Sequence, residues 1–296
     1  MLDGVEVGPD VAVAVGESHG VRVAGPDVAC PAFSVTKMFV AAAVLRLVES
    51  GVLRLADDVR EWLPQAPPEA TVRELLCHTT GLADYVAAAP YLAAVAARPG
   101  QPWDLDRILD TAPAGDRGPL GGFRYCNAGY WLLGAVLEKA TGRPLPEVLS
   151  ATVFEPAGMA STSYPTAGER VTETGYDTRW AGPAGAVWST PRDLVAFLSA
   201  LFGGSLLSAG SLTAMTTAVS VAAGPPWREP GYGLGLMIDR GHGTVGHGGS
   251  GPGYGGAAFT TPASGRSVAV ITREPSDTDP TELALRLLRP HEHDTP

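Results

Sequence analysis

The chain has 296 residues, 45% of them hydrophobic, and a formal net charge of −10, enough apolar material for one large core or for two lobes sharing an interface. The acidic balance argues against nucleic acid and anionic membrane as partners, because phosphate binding needs a basic footprint. Three cysteines without C-x-x-C spacing, Cys30, Cys77 and Cys126, indicate neither a disulfide framework nor a zinc site, and the lack of an export-type N-terminus or of a run of about 18 apolar residues reads as a soluble cytoplasmic protein.

In chain order, Val11 to Val15 and Val21 to Ala24 flank the polar Gly16 to Gly20, the pattern of a β-hairpin. A helix follows from Ser34 to about Ser50, apolar almost all round and so destined for burial, with Gly51 placed to end it. Between Leu53 and Tyr176 the pattern is of helical pieces broken by proline and glycine: Thr71 to Cys77, Ala128 to Thr141 before Gly142, and Pro146 to Phe154. Thr190-Pro191 caps a helix that runs to Phe202. Strand-like runs then occupy Gly233 to Ile238, Thr244 to His247, Gly255 to Thr260 and Ser267 to Thr272, before a last helix, Pro280 to Leu288, and a polar tail at His291 to Asp294. Strands at both ends around a helical insert predict an α/β (α+β) fold in which one antiparallel sheet of about five strands is built from both chain ends and flanked by helices. Residues 1–55 and 181–296 would form the sheet lobe and 56–180 the helical lobe, with the site between them.

Three constellations carry chemistry. Ser34-Val35-Thr36-Lys37 puts a hydroxyl and an amine on one helix face at a helix start; a serine nucleophile needs such help because its hydroxyl stays protonated near neutral pH. Taken alone, the same letters describe a helix-capping serine and a solvated lysine. Tyr125-Cys126-Asn127 precedes the Ala128 helix, and residues two apart in a non-helical segment point the same way. A phenol beside a lysine ammonium ionises more easily than its reference value of about 10 suggests, which would make Tyr125 a general base; the alternative is a buried tyrosine and a helix-capping asparagine. His247-Gly248-Gly249-Ser250 lies in the glycine-dense stretch Gly241 to Gly256, where the backbone can approach a substrate and offer N–H groups as an oxyanion hole. Gly241-x-Gly243-x-x-Gly246 is not followed by a helix, so it is not a dinucleotide fingerprint. A metal at His242 and His247 lacks carboxylates at ligand spacing, and no cofactor is expected.

In the order S-x-x-K, Y-x-N, H-x-G, the chain resembles the serine β-lactamase and DD-peptidase superfamily, in the class C β-lactamase-like branch that also holds esterases, amidases and acyltransferases. The resemblance spans about Val11 to Thr272. Leu75 to Leu82 is similar to that branch's L-L-x-H-T-S-G-L, Phe123 to Asn127 to its F-x-Y-S-N, Pro156 to Met159 to its P-L-G-M, Ala184 to Leu194 to its A-G-G-L-x-S-T-x-x-D-L, and Tyr232 to Gly235 to its Y-G-L-G. It implies a β-lactamase/transpeptidase-like fold and a double displacement. Ser34 attacks an acyl carbonyl, Lys37 and Tyr125 relay its proton, Asn127 orients Lys37 and substrate, and the oxyanion lies between the N–H groups of Ser34 and Ser250 beside His247 and Gly249. Water, or an amine or alcohol acceptor, then takes the acyl group.

Departures from the pattern shape the expectation. His247 stands where many relatives have the lysine of K-T-G, so a substrate carboxylate would lose a permanent cation. That favours an ester, a neutral amide or acyl transfer over β-lactamase or DD-peptidase action. A silent ligand-binding or scaffold module of the same fold is the alternative from another class. His78 reads as a structural histidine, and Trp103, Trp131, Trp180 and Trp188 as walls of a pocket or as core. The helix that precedes the first strand in this family is absent from the sequence, so one sheet face would be bare and would suit a second copy of the chain as a homodimer.

Overall fold

The computed structural model describes residues 2, 6–66, 70–111, 118–167 and 169–289; the tail expected to be frayed lies outside them. Valine alternating with small residues in Val11–Glu17 (β1) explains how the sheet is covered on both sides. Val11, Val13 and Val15 belong to a small core under the last helix, α9 (Pro280–Leu288), while Ala14 belongs to the large core on the opposite face. On that second face α7 (Pro191–Phe202) approaches so closely that a Cβ on Gly16 would meet Val195 Cγ1 at 2.3 Å.

β1 pairs with β2 (Gly20–Ala24) on one side and with the C-terminal β10 (Arg266–Arg273) on the other, Val13 opposite Val270. The sheet continues antiparallel through β9 (Tyr254–Thr261), β8 (Thr244–Gly251), β7 (Met237–Asp239), β6 (Pro230–Tyr232) and β5 (Val219–Ser220). Both chain ends therefore build one sheet, as the sequence predicts, but among the described residues it has eight strands rather than about five. The strands without a counterpart in the sequence reading are two short ones, β5 and β6. Of the run Gly233 to Ile238, expected as one strand, Met237 and Ile238 open β7, while 233–236 form the turn between β6 and β7: Gly235 has φ 73°, and a Cβ on Gly233 would meet Met215 O at 2.1 Å.

A two-stranded ribbon pairs β3 (Cys30–Pro31) with β4 (Trp188–Ser189) beside the start of α1 (Thr36–Glu49). Eleven of the 14 residues of α1 are buried, among them Lys37. Against it pack α5 (Asn127–Thr141) and α6 (Leu145–Leu149), and against α5 in turn α2 (Val72–Leu76) and α4 (Leu105–Thr111); α3 (Ala89–Ala97) and α8 (Ala209–Thr216) are further helices of the described residues. α2 carries a complete capping box, Thr71 with Glu74, which orders a five-residue helix too short to persist unaided. The helix expected over Pro146 to Phe154 is α6 followed by a wider π turn, Ser150–Phe154.

The sheet face expected to be bare is covered. Val13, Val15, Phe259, Val268 and Val270 are each 0% exposed beneath α9 and Leu2, which removes the apolar surface that motivated a homodimer there. Among the described residues no helix is long and apolar enough to cross a membrane.

Candidate active site

Ser34 sits where β3 gives way to α1 through a single 3-10 turn, Phe33–Val35. Ala32 N–H donates to Val187 O at 2.8 Å and Val187 N–H to the buried Thr36 hydroxyl at 3.1 Å, so the turn is pinned on both sides. Phe33 is held at φ 44°, a left-handed conformation a bulky residue adopts only when its surroundings impose it. β8 imposes it from above: a Cβ on Gly249 would lie 2.5 Å from Ser34 N, and one on Gly251 would lie 2.2 Å from the Phe33 ring. Only glycines let this strand lie against the serine turn.

Lys37, one helical turn on, is fully buried. Its Nζ is 2.7 Å from Asn127 Oδ1, 2.9 Å from Ala184 O and 3.0 Å from Ser34 Oγ. Two of these partners only accept, so they take two of the N–H bonds of the amine, and the third direction of the nitrogen is on Ser34 Oγ: it donates there when the amine is charged and offers a lone pair to the hydroxyl proton when the amine is neutral. Burial drives Lys37 down from its ordinary 10.5 to about 7, with Asp84 pulling the other way. The geometry and the charge balance thus both suit an amine that accepts the serine proton.

Asn127 opens α5 but does not cap it; the capping position is Cys126. Its Nδ2 donates to Asp84 Oδ2 at 2.6 Å, which fixes the amide so that Oδ1 faces Lys37. Burial raises the Asp84 carboxyl above its ordinary value, against the opposing pull of Asn127 and Lys37. The Ser34 side chain lies close enough to the Tyr125 phenol to ease its ionisation a little, and Lys37 Nζ lies 4.9 Å from the centre of its ring.

The expected ease of ionising Tyr125 is corrected here: burial pushes this phenol well above 10. Desolvation outweighs charge proximity, and by bringing Lys37 down to about 7 it also weakens the ammonium on which that expectation rested. Lys37 is the better proton acceptor, and Tyr125 the better donor.

Ser250 is exposed at the mouth of the site. The β7–β8 register ends with Met237 opposite Gly246, so beyond that point the edge of β8 turned away from β9 carries no ladder and faces the serine turn. His247 is placed differently from a residue that meets substrate. It is 0% exposed, its Nδ1 lies 2.5 Å from Gly248 O and its Nε2 2.9 Å from Tyr232 Oη. Both ring nitrogens are used inside the protein, and burial drives its pKa to about 3.

Two cavities meet at Ser34. One, about 400 Å3, is walled by Tyr85, Tyr91, Leu92, Val95 and Tyr176, with Ser250 and Asn127 also lining it. The other, about 590 Å3, lies on the Tyr125 side, with Trp227, Met237, Gly249 and Glu282 in its wall. Among the described residues, neither wall contains lysine or arginine. Three of the four tryptophans singled out stand behind the first cavity: Trp131 Nε1–H donates to Tyr85 Oη at 2.9 Å, and Trp103 and Trp180 stack edge-on to Tyr91, whereas Trp188 lies in β4 with its ring 6.5 Å from that of Tyr254. No group of three or more metal-binding side chains is gathered among the described residues.

Sequence reasoning missed Asp84, the Ala184 carbonyl and Tyr232. Asp84 stands two residues beyond Leu82, where the quoted L-L-x-H-T-S-G-L pattern ends, and the Tyr232 motif was noted without a role.

Comparison with known proteins places this geometry in context. The family model described as Beta-lactamase matches residues 8–291. Esterase EstB of Burkholderia gladioli is 37% identical over 147 residues, 44% of this chain and 37% of that protein. A D-aminopeptidase of Cereibacter sphaeroides is 27% identical over 258 residues, 81% of this chain and 49% of that protein. The chain thus spans about a third to a half of the length of these relatives. A crystal structure of a D-stereospecific amidohydrolase from a Streptomyces species superposes with a TM-score of 0.83 at 27% identity, covering 94% of this chain and 92% of that one.

Proposed function

Because the chain belongs to the β-lactamase family, we propose that it is a serine hydrolase or transacylase that forms an acyl-Ser34 intermediate on an ester or amide. The observation that carries the reading is the buried amine of Lys37, held by Asn127 and Ala184 with its third direction on Ser34 Oγ. In the first step Lys37 takes the hydroxyl proton as Ser34 attacks the carbonyl carbon. Tyr125 delivers a proton to the leaving group, and the N–H groups of Ser34 and Ser250 hold the oxyanion beside Gly249. Dividing one hard displacement into two, with donors fixed where charge develops, supplies the rate. In the second step water, an amine or an alcohol takes the acyl group while the same residues return the protons.

The acyl group we assign is apolar, because aromatic and aliphatic side chains wall the cavity of about 400 Å3, a size typical of small-molecule sites. The relatives' names, esterase, D-aminopeptidase and D-stereospecific amidohydrolase, support ester or amide chemistry. β-Lactamase or DD-peptidase action is disfavoured: among the described residues neither cavity wall holds a lysine or arginine for a carboxylate, and His247 is buried and neutral. The site would lie between a sheet lobe of residues 1–55 and 181–296 and a helical lobe of 56–180. Three unpaired thiols suit a cytoplasmic location, and a homodimer would need a surface other than the sheet face under α9.

A panel of p-nitrophenyl esters and amino-acid amides with acyl groups of increasing size, assayed with and without added amines, tests the reading. Turnover rising with apolar acyl size, and outrunning nitrocefin, is expected. Nitrocefin turnover faster than every ester and amide would reverse the ranking, and a folded protein inert to the whole panel would favour a silent module.

A further inference from the structure

Behind the site runs a chain of buried side chains that the proton transfers above do not use. His78, Tyr232 and His247 are 1%, 2% and 0% exposed. His78 Nε2 lies 3.2 Å from Tyr232 Oη, and Tyr232 Oη lies 2.9 Å from His247 Nε2. The two ends of the chain settle where its protons sit. At one end Cys126 N–H donates to His78 Nδ1 at 3.2 Å, so the His78 proton is on Nε2 and is donated to Tyr232 Oη. At the other end His247 Nδ1 faces Gly248 O at 2.5 Å; a carbonyl only accepts, so the His247 proton is on Nδ1, and the Tyr232 hydroxyl donates to Nε2. The reverse order would set N–H against N–H at Cys126 and lone pair against lone pair at Gly248. One arrangement of protons satisfies every group, and in it both histidines are neutral.

The ends of this chain are the two halves of the site. His78 O accepts from Arg124 N–H at 2.8 Å while its ring accepts from Cys126 N–H, so the residues on either side of Tyr125 are both tied to His78. The His78 and Tyr125 rings also pack at 4.3 Å between centres. His78 keeps φ 58° to do this, a conformation that costs energy and persists where the surroundings over-determine it. At the far end, Gly248 leads directly into Gly249, against Ser34 N, and Ser250.

We propose that His78, Tyr232 and His247 are positioning residues, an uncharged hydrogen-bonded strut that sets the distance between the Tyr125–Asn127 segment and the Gly248–Ser250 strand. The role rests on the acyl-Ser34 reading. Burial, with the nearby Lys37 charge, holds His78 well below 6.5 and His247 near 3, so the strut stays uncharged near neutral pH. His247 therefore acts on the edge strand and not as a cation for the substrate.

Two measurements test this. Imidazole 15N NMR of the intact protein at pH 7, with signals assigned by His78→Gln and His247→Gln, is expected to show His78 protonated at Nε2 and His247 at Nδ1. A His247 protonated at Nε2, or charged, overturns the proposal. In kinetics, Tyr232→Phe keeps the ring and removes the bridging hydroxyl. With active sites counted by fluorophosphonate titration, kcat should fall about 10- to 100-fold, the penalty of a misplaced reacting group, while KM changes less than about threefold. His247→Gln, which keeps an acceptor for Tyr232, should retain more kcat than His247→Leu, a rescue that stability alone would not produce. Wild-type kcat in folded Tyr232→Phe, or equal loss in both His247 variants, overturns the strut alone. A wild-type protein that never acylates Ser34 overturns the functional reading and the positioning role with it, while the tautomer assignment is measured independently. Should Tyr232→Phe fail to fold, the His247 pair decides.

Discussion

Burying Lys37 has a stability cost that can be measured. Moving its amine from an ordinary 10.5 to about 7 corresponds to about 5 kcal/mol between protonation states at about 1.4 kcal/mol per pH decade. The folded-state value is the lower one, so between pH 7 and 10.5 the unfolded chain binds the extra proton and stability rises with pH. Below pH 7 the full cost is present; above 10.5 it vanishes. Lys37→Met removes the titrating group and retains an unbranched chain, at the price of three hydrogen bonds. Urea unfolding of wild type and Lys37→Met at several pH values from 7 to 10 should therefore give curves that diverge. The wild type is expected to gain about 1 kcal/mol per pH unit relative to the variant across this window, and the variant to be the more stable protein at pH 7. Parallel curves would refute the claim that the amine is neutralised by burial.

Other consequences follow from single contacts. Asp84 raises the Lys37 pKa, and the reaction needs the neutral amine, so kcat/KM in the wild type should climb through about pH 7; in Asp84→Asn this acid limb should move to lower pH, and an unmoved or upward-moved limb contradicts the coupling. Gly249→Ala would force a Cβ to 2.5 Å from Ser34 N, so acylation should slow by about 100-fold or more in a protein whose circular dichroism is unchanged; near-wild-type acylation would show that β8 does not border the oxyanion. Val95→Trp fills part of the cavity of about 400 Å3; kcat/KM for long acyl esters should fall about tenfold or more with acetyl esters little affected, and an even loss across chain lengths would remove this cavity from acyl recognition.

How much of this was legible in the sequence depended on whether the signal was local. Capped helices such as Thr190-Pro191 into α7 and Asp279-Pro280 into α9 carry their boundaries in adjacent residues, and both were read to the residue. The Ser34–Lys37 spacing likewise states its geometry once a helix is assumed. α3 was missed because Ala89 to Ala97 has no charged or strongly polar residue and so offers no contrast between faces. The Gly233 to Ile238 run looked like a strand because its leucines are buried, yet they are buried in a turn. Tyr125 was misjudged because charge proximity can be guessed from a motif whereas desolvation depends on everything packed around it. The His78–Tyr232–His247 contacts join residues up to 154 positions apart, and no spacing rule connects them. Asp84 is a single acid in a loop; its role appears only when Asn127 Nδ2 is seen to be donating to it.

The central claim is that a Ser34 hydroxyl activated by Lys37 and Tyr125 becomes acylated. Time-resolved intact-mass spectrometry of the native protein with a fluorophosphonate tests it most directly, alongside Ser34→Ala, Lys37→Ala and Tyr125→Phe. One adduct per chain is expected, mapped to Ser34 by peptide digestion, absent in Ser34→Ala and formed far more slowly in the other two variants. An adduct that persists in Ser34→Ala, or one that forms at the wild-type rate without Lys37, would contradict the account.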